Sequence, residues 1–312
     1  MYVVDSHCDS LADFGNGIPC ALIKPYNFSA KYPQLQFAAI FCGRPGESGA
    51  QCYNRAKRYI STFCATVLAE RERLVHVLTC RDIERSKKER KHAVILSAEG
   101  AGKAISENRA LLGELYDAGA RVIGLAWESN SLVKSNRIEK GESDTGLSVL
   151  GREVAEEIND LGMIFDVSHL SDKSFYDIAA LSKKPIIASH SNFRSVCPHN
   201  RNLTDDMASL IFATGGMIGL TFYPPFISPN AEWQTVEGLF SHLEYGLSLG
   251  GENHIGFGGD IDGTSGAYPY PLDVTSSMHD KIIELMLRHN YSEELVLKVA
   301  GENYLNYLKK YL

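Results

Sequence analysis

Eight short apolar runs rich in β-branched residues recur along the chain, at 2–4, 37–41, 93–96, 122–125, 163–167, 185–188, 217–222 and 254–257. Each has the length and composition of a β-strand. Segments of helical periodicity separate most of them. Within 50–73, Tyr53, Ala56, Ile60, Phe63 and Val67 fall near 3.6-residue spacing. The same logic marks 109–118, 149–161, 172–181, 205–214, 235–249 and 278–290. A last helix is expected over 292–312, with Ser292 as N-cap and Glu293 and Glu294 in its first turn. Strands alternating with helices call for a parallel sheet. Eight repeats within 312 residues fit a closed (β/α)₈ TIM-type barrel of the α/β class better than an open doubly wound sheet. No Pro/Ser-rich linker divides the chain, so a single domain over 1–312 is expected. Residues 11–36 lack clean periodicity and are long for a loop, which suggests a lid or rim element.

Composition removes several function classes. The net charge of −7 leaves no basic footprint for nucleic acid. The longest apolar runs are of strand length, short of the roughly 20 residues a membrane-spanning helix needs. The opening MYVVDSHCDS has neither a basic nor an apolar leader region, so a soluble, cytoplasmic protein starting near Met1 is expected. The seven cysteines are odd in number and have no C-x-x-C spacing. They read as buried or neutral thiols rather than as a disulfide framework or a zinc knot.

Chemistry concentrates at the C-terminal ends of the strand-like runs. The first ends in Asp5-Ser6-His7-Cys8-Asp9 and the third in Ser97-Ala98-Glu99-Gly100. The fifth ends in Asp166-Val167-Ser168-His169, the sixth in Ser189-His190-Ser191-Asn192, and the eighth in Gly258-Gly259-Asp260-Ile261-Asp262. In a (β/α)₈ barrel these ends converge on one mouth, where active sites form. His7 and Asp9 are two positions apart, so in a strand both face one way and can reach one metal, while Cys8 points into packing. Taken singly, each residue has a plainer reading. Glu99 can be an exposed loop acid. His169 or His190 can be structural, and Asp260 can be a further ligand or the cap of its glycine-rich turn. Taken together, three histidines and three carboxylates make two metal sites and one free acid/base. Two metals roughly 3.5–4 Å apart hold a bridging hydroxide and polarise a carbonyl. Imidazole and carboxylate donors suit Zn²⁺, with Mn²⁺ or Fe²⁺ as alternatives.

These residues resemble the membrane (renal) dipeptidase family, metallopeptidases among the amidohydrolase-like barrels. The segment 5–10 resembles the family's opening D-x-H-x-D, and 97–100 its bridging-glutamate strand. The run 161–169 is similar to L-G-M-x-x-D-x-S-H, and 189–192 to the next histidine motif. Residues 199–206 resemble the R-N-x-x-D segment, 256–263 the G-x-G-x-D-x-D-G, and 301–305 the terminal G-x-N-F/Y-L. The order is the family's and covers nearly the whole chain. The resemblance implies hydrolysis of dipeptides with two divalent metal ions. His7 and Asp9 would bind one ion, His169 and His190 the other, and Glu99 would bridge both. Asp260 would be the acid/base, and Arg201 would hold the substrate's C-terminal carboxylate.

One position departs from the pattern. Animal members carry a substrate-pocket histidine at the end of the fourth strand; here Trp127 stands nearest that place, with Glu128 beside it. Trp127 is therefore a substrate-binding candidate whose plainer reading is aromatic packing at the rim. The expected partner is a small dipeptide, with neither nucleic acid nor membrane; a homo-oligomer is compatible with the sequence. Two rival functions are a lactonase, deaminase or cyclic-amide hydrolase on the same barrel, and a non-catalytic binding protein. Many of the former bridge their metals with a carbamylated lysine, and no lysine stands at these strand ends. A decayed site would have lost ligands, yet all six ligand and acid/base positions carry competent side chains.

Overall fold

The computed structural model describes residues 1–11, 34–138, 141–263 and 278–312. Most of the expected lid or rim element at 11–36 lies outside the described residues. All eight expected strands form: β1 (Val3–Cys8), β2 (Gln34–Phe41), β4 (His92–Glu99), β5 (Ala120–Ile123), β6 (Ile164–Phe165), β7 (Ile187–Ala188), β8 (Met217–Leu220) and β9 (Ile255–Phe257). They are joined by a short additional strand, β3 (Leu74–His76). Every pairing is parallel, in the order β6-β5-β4-β2-β1-β9-β8-β7. A parallel bridge between Asp166 and Ile187 closes the ring, with Val167 N–H donating to the Ile187 carbonyl at 2.8 Å. β3 pairs the first half of β4, and β5 takes over from Leu96 onward. The chain is a single (β/α)₈-type barrel.

Both faces of a parallel barrel strand are buried, one by the interior and one by the helices. Alternation along the strands divides the core accordingly. Val4, Leu35, Phe37, Ile95, Val122, Ile164, Ile187 and Met217 form one cluster with Tyr304 and Leu308 of the last helix. Their neighbours Val3, Ala38, Leu96, Ile123, Phe165, Ala188 and Ile218 pack with the outer helices. Gly256 on β9 makes room for the Tyr304 ring, which a Cβ there would meet at 2.7 Å. The Tyr304 hydroxyl donates to Ser6 Oγ at 2.7 Å, and Ser6 Oγ donates in turn to the Ser189 and Phe257 carbonyls. The last helix is thereby tied to three strands beneath the barrel mouth.

The helices begin where side chains cap them. Ser48, Ser148, Ser171, Thr204, Thr235 and Ser292 each accept a backbone N–H from the first turn. The closing helix carries a π segment at Lys298–Glu302 before Asn303–Tyr311, where one continuous helix is expected. The six described cysteines are free. No helix among the described residues is long and apolar enough to cross a membrane.

His242, in the helix Val236–Ser248, offers a test of the packing. It is fully buried; its Nδ1 accepts from Phe193 N–H at 3.2 Å, and its Nε2–H donates to the Ile227 carbonyl at 2.9 Å. The neutral ring satisfies both partners, whereas a second ring proton would oppose the Phe193 N–H. Burial pulls its pKa down to about 4. An unfolded histidine protonates near 6.5. Stability from this site is therefore present above about pH 6.5, where both states are neutral, and declines as pH falls toward the folded value, by about 3 kcal/mol. The His242 ring resonances should titrate with a midpoint close to 4; a midpoint near 6.5 would contradict this packing.

Candidate metal centre and substrate cavity

The six candidates from five strand ends meet at the C-terminal mouth of the barrel. Two buried acids explain how the backbone delivers them. Asp5 accepts from His7 N–H at 2.9 Å, from Gln36 Nε2 at 3.1 Å and from Gly259 N–H at 3.1 Å, and pairs with His279 Nε2 at 2.6 Å. It ties β1 to the start of β2 and to the turn after β9. Asp166 does the same for β6 and β7: Oδ1 accepts from Ser168 N–H and Ser189 N–H, both at 3.0 Å, and Oδ2 accepts from Ser189 Oγ at 2.5 Å. Ser189 Oγ also lies 2.7 Å from His190 Nδ1, which leaves His190 Nε2 directed into the mouth. Strict alternation from Val4 would turn Ser6 and Cys8 inward; the register of β1 against β2 slips between Asp5 and Cys8, and His7 and Asp9 reach the mouth.

Glu99 is the centre of the arrangement. Its Oε2 lies 3.6 Å from His7 Nε2, while its Oε1 lies 2.8 Å from His169 Nε2 and 3.3 Å from His190 Nε2. The two histidine nitrogens on the Oε1 side are 3.0 Å apart. On the Oε2 side, His7 Nε2 is 3.7 Å from Asp9 Oδ2 and 3.9 Å from Asp260 Oδ1. The His7 and His190 rings stack with centroids 3.7 Å apart, which joins the two groups. Two sets of ligating atoms, Glu99–His169–His190 and His7–Asp9–Asp260, each lie close enough to surround one cation. Asp166 also stands near His7 and His190. Its oxygens are taken by Ser168 and Ser189, so it holds His190 in place rather than offering a free donor.

The electrostatics follow from enclosing so many ionisable groups. Burial holds the His169 and His190 imidazoles well below the usual histidine range, reinforced by Arg201 and His7. Burial also works against charge on His7, but Glu99 and Asp9 outweigh it and raise that ring well above the usual range. Burial, with Asp9 and Asp260 nearby, pushes the Glu99 carboxyl up to about 7. Asp260 is pushed to about 6 by burial and by Asp9, against the pull of His7 and Arg201. His7 Nε2 and Asp9 Oδ1 are buried without a hydrogen-bond partner. His169 and Asp260 adopt left-handed backbone angles, with φ of 68° and 55°. Such strain in non-glycine residues concentrates where function fixes the backbone. A Cβ at Gly263 would run into Asp9 Oδ2 and Asp260 Oδ1, so the turn closes on these two carboxylates only because residue 263 is glycine.

Arg201 is buried beside this centre. Its Nη1 donates to Ser191 Oγ and its Nη2 to the His190 carbonyl, both at 2.7 Å, while Nε is left without a partner. It lines a cavity of about 550 Å³ together with Arg137, His199 and Tyr223. Trp127 does not line that cavity. It stands at the rim, 6.1 Å from the His169 ring and 5.4 Å from the Phe41 ring, with the Arg137 guanidinium 3.7 Å above it. Sequence reasoning passed over Arg137, which sits in a polar loop with no periodicity, and over Tyr223. The supporting roles of Asp5 and Asp166 were within the quoted motifs, but the hydrogen bonds that define them join distant strands.

Comparison with known proteins bears on this geometry. The family model for membrane dipeptidases, peptidase family M19, matches residues 1–311. An uncharacterized protein from the pqqA 5′ region of Klebsiella pneumoniae is 32% identical over 244 residues, 76% of this chain and 89% of that protein. An uncharacterized dipeptidase of Schizosaccharomyces pombe is 32% identical over 206 residues, 66% of this chain but only half of that protein's length. Among solved structures, a Rhodobacter sphaeroides metallopeptidase liganded with a phosphinate mimic of L-Ala-D-Ala superposes with a TM-score of 0.85 at 25% identity, covering 100% of this chain and 99% of that one. A metallopeptidase called dipeptidase AC, of family M19, gives 0.84 at 27% identity, covering 100% and 98%. With a whole-chain family match and a barrel that superposes from end to end, this chain belongs to the membrane dipeptidase family, peptidase family M19, and is a metal-dependent dipeptidase.

Proposed function

We propose that two divalent cations are held around Glu99, that Asp260 carries the proton in peptide hydrolysis, and that Arg201 holds the substrate's α-carboxylate. The observation that carries this reading is the division of the Glu99 carboxylate, one oxygen toward His7 and the other toward His169 and His190. The residues fit metal by their own chemistry. Metal ligands must be deprotonated: His169 and His190 are held neutral, and a cation would displace the proton that Glu99 and Asp9 hold on His7. The partnerless His7 Nε2 and Asp9 Oδ1 are the donors a cation would satisfy. His7, Asp9 and Glu99 would hold one ion and His169, His190 and Glu99 the other, with Zn²⁺ favoured by the nitrogen and oxygen donors.

Bound cations supply Lewis acidity and a water of lowered pKa. The chain's residues do the rest. Arg201 fixes the α-carboxylate and so sets the register of a two-residue substrate, its guanidinium already oriented by Ser191 and the His190 carbonyl. Asp260 overlooks the scissile bond from beside His7, takes a proton from the attacking water and delivers it to the leaving amine. The phosphinate dipeptide mimic bound by the Rhodobacter neighbour supports the substrate class. To test the function, the chelated protein is reloaded with Zn²⁺, Mn²⁺ or Fe²⁺ and assayed on dipeptides, cyclic amides and lactones. Metal-restored turnover of dipeptides is expected; turnover confined to cyclic amides or lactones would reject the reading.

The Arg201 assignment has its own test. Amidating the C-terminus of a good dipeptide removes the partner of a charged hydrogen bond, and Arg201→Ala removes the donor. Such a contact contributes roughly 1.5–3 kcal/mol, about ten- to hundredfold. The amidated peptide should lose that factor with the unmutated enzyme, and Arg201→Ala should mainly raise KM. Equal turnover of free and amidated peptides would contradict the assignment.

A further inference from the structure

The cavity beside Arg201 holds a second arginine that this reaction does not use. Arg137 lies in the loop after β5 and is exposed at the mouth. Its guanidinium stacks on Trp127 at 3.7 Å, and Trp127 in turn lies against His169. Arg137 and Arg201 line the same cavity, and no Asp or Glu is among the described residues lining it. Arg137 also has no ion pair among the described residues, whereas Arg109 and Arg194 engage Glu157 and Asp172. A guanidinium stacked through its face keeps its in-plane N–H groups free, in the fork geometry that suits a carboxylate.

A dipeptide with neutral side chains brings one carboxylate to a cavity that presents two arginines. If Arg201 takes the α-carboxylate, the side chain of the same C-terminal residue leaves from the same Cα and enters the space that Arg137 borders. The N-terminal side chain lies across the scissile bond. Building on the function proposed above, we infer that Arg137 is a specificity-determining residue that selects dipeptides ending in Asp or Glu by pairing with the side-chain carboxylate. Trp127 positions the guanidinium for this pairing, which gives the aromatic after β5 a role toward substrate.

The test uses isosteric pairs, Ala-Asp against Ala-Asn and Ala-Glu against Ala-Gln, with the second residue in both L and D forms, on the metal-loaded enzyme. The acidic member of each pair should be cleaved with a kcat/KM about tenfold or more above its amide, as expected for a charge-assisted contact near the surface. The ratio should shrink as salt is added. In Arg137→Met, which keeps the stem, the ratio should fall toward one, and in Arg137→Lys it should be partly retained. Equal rates for acid and amide in the unmutated enzyme, or an equal loss on both in Arg137→Met, would overturn the inference and leave dipeptide hydrolysis standing. Failure of every dipeptide under metal-loaded conditions would overturn the proposed function itself, and the inference with it.

Discussion

Asp260→Asn should retain both metal ions and bind dipeptide, yet lose on the order of 10²–10⁴ in kcat. The substitution keeps the size of the side chain and removes its basicity. Asp260 Oδ1 lies 3.9 Å from His7 Nε2, so its carboxylate stands beside the metal cluster, where a proton carrier is needed. Its strained backbone, at φ 55°, holds it in the glycine-rich turn after β9, the strand paired with β1. The competing role is that of an obligatory ligand, since Asp260 shares a cluster with His7 and Asp9. Metal content separates the two. A variant that loses activity together with one ion makes Asp260 a ligand; near-normal turnover by a folded, metal-loaded variant removes it from the chemistry.

Glu99→Ala should lose both ions together, because the two oxygens of this one side chain face the two clusters. Elemental analysis of the purified variant should find little metal, and dipeptide turnover should fall to background. A readout independent of activity is thermal stability. Ligands that bind only the folded state stabilise it by mass action, so Zn²⁺ should raise the Tm of the chelated unmutated protein and leave that of Glu99→Ala nearly unchanged. Stoichiometric metal in Glu99→Ala would reject the bridging role.

How much of this the sequence disclosed depended on the range of the interaction involved. The eight strands were legible because a barrel strand buried on both faces is a continuous apolar run. β3 was missed although Leu74-Val75-His76 has strand composition, because it follows a long helical pattern that the expected 50–73 segment overran; the helix ends at Ala69. The helix Cys80–Glu89 was passed over because few of its residues are apolar, and only Ile83 and Ser86 are buried in it. At the site, strand ends carrying His, Asp and Glu placed His7, Asp9, Glu99, His169, His190 and Asp260 at one mouth, since barrel topology alone brings them together. The slip in β1, the Asp166–Ser189–His190 link and the second arginine depend on contacts between residues far apart in sequence. Neither periodicity nor motif spacing encodes those.

The measurement that bears most directly on a two-metal dipeptidase is calorimetric titration of the chelated protein with Zn²⁺, with dipeptide turnover followed on the same samples. Two ions per chain are expected, with turnover absent in the chelated protein and restored as the sites fill. Full dipeptide turnover by protein that holds no metal would contradict it.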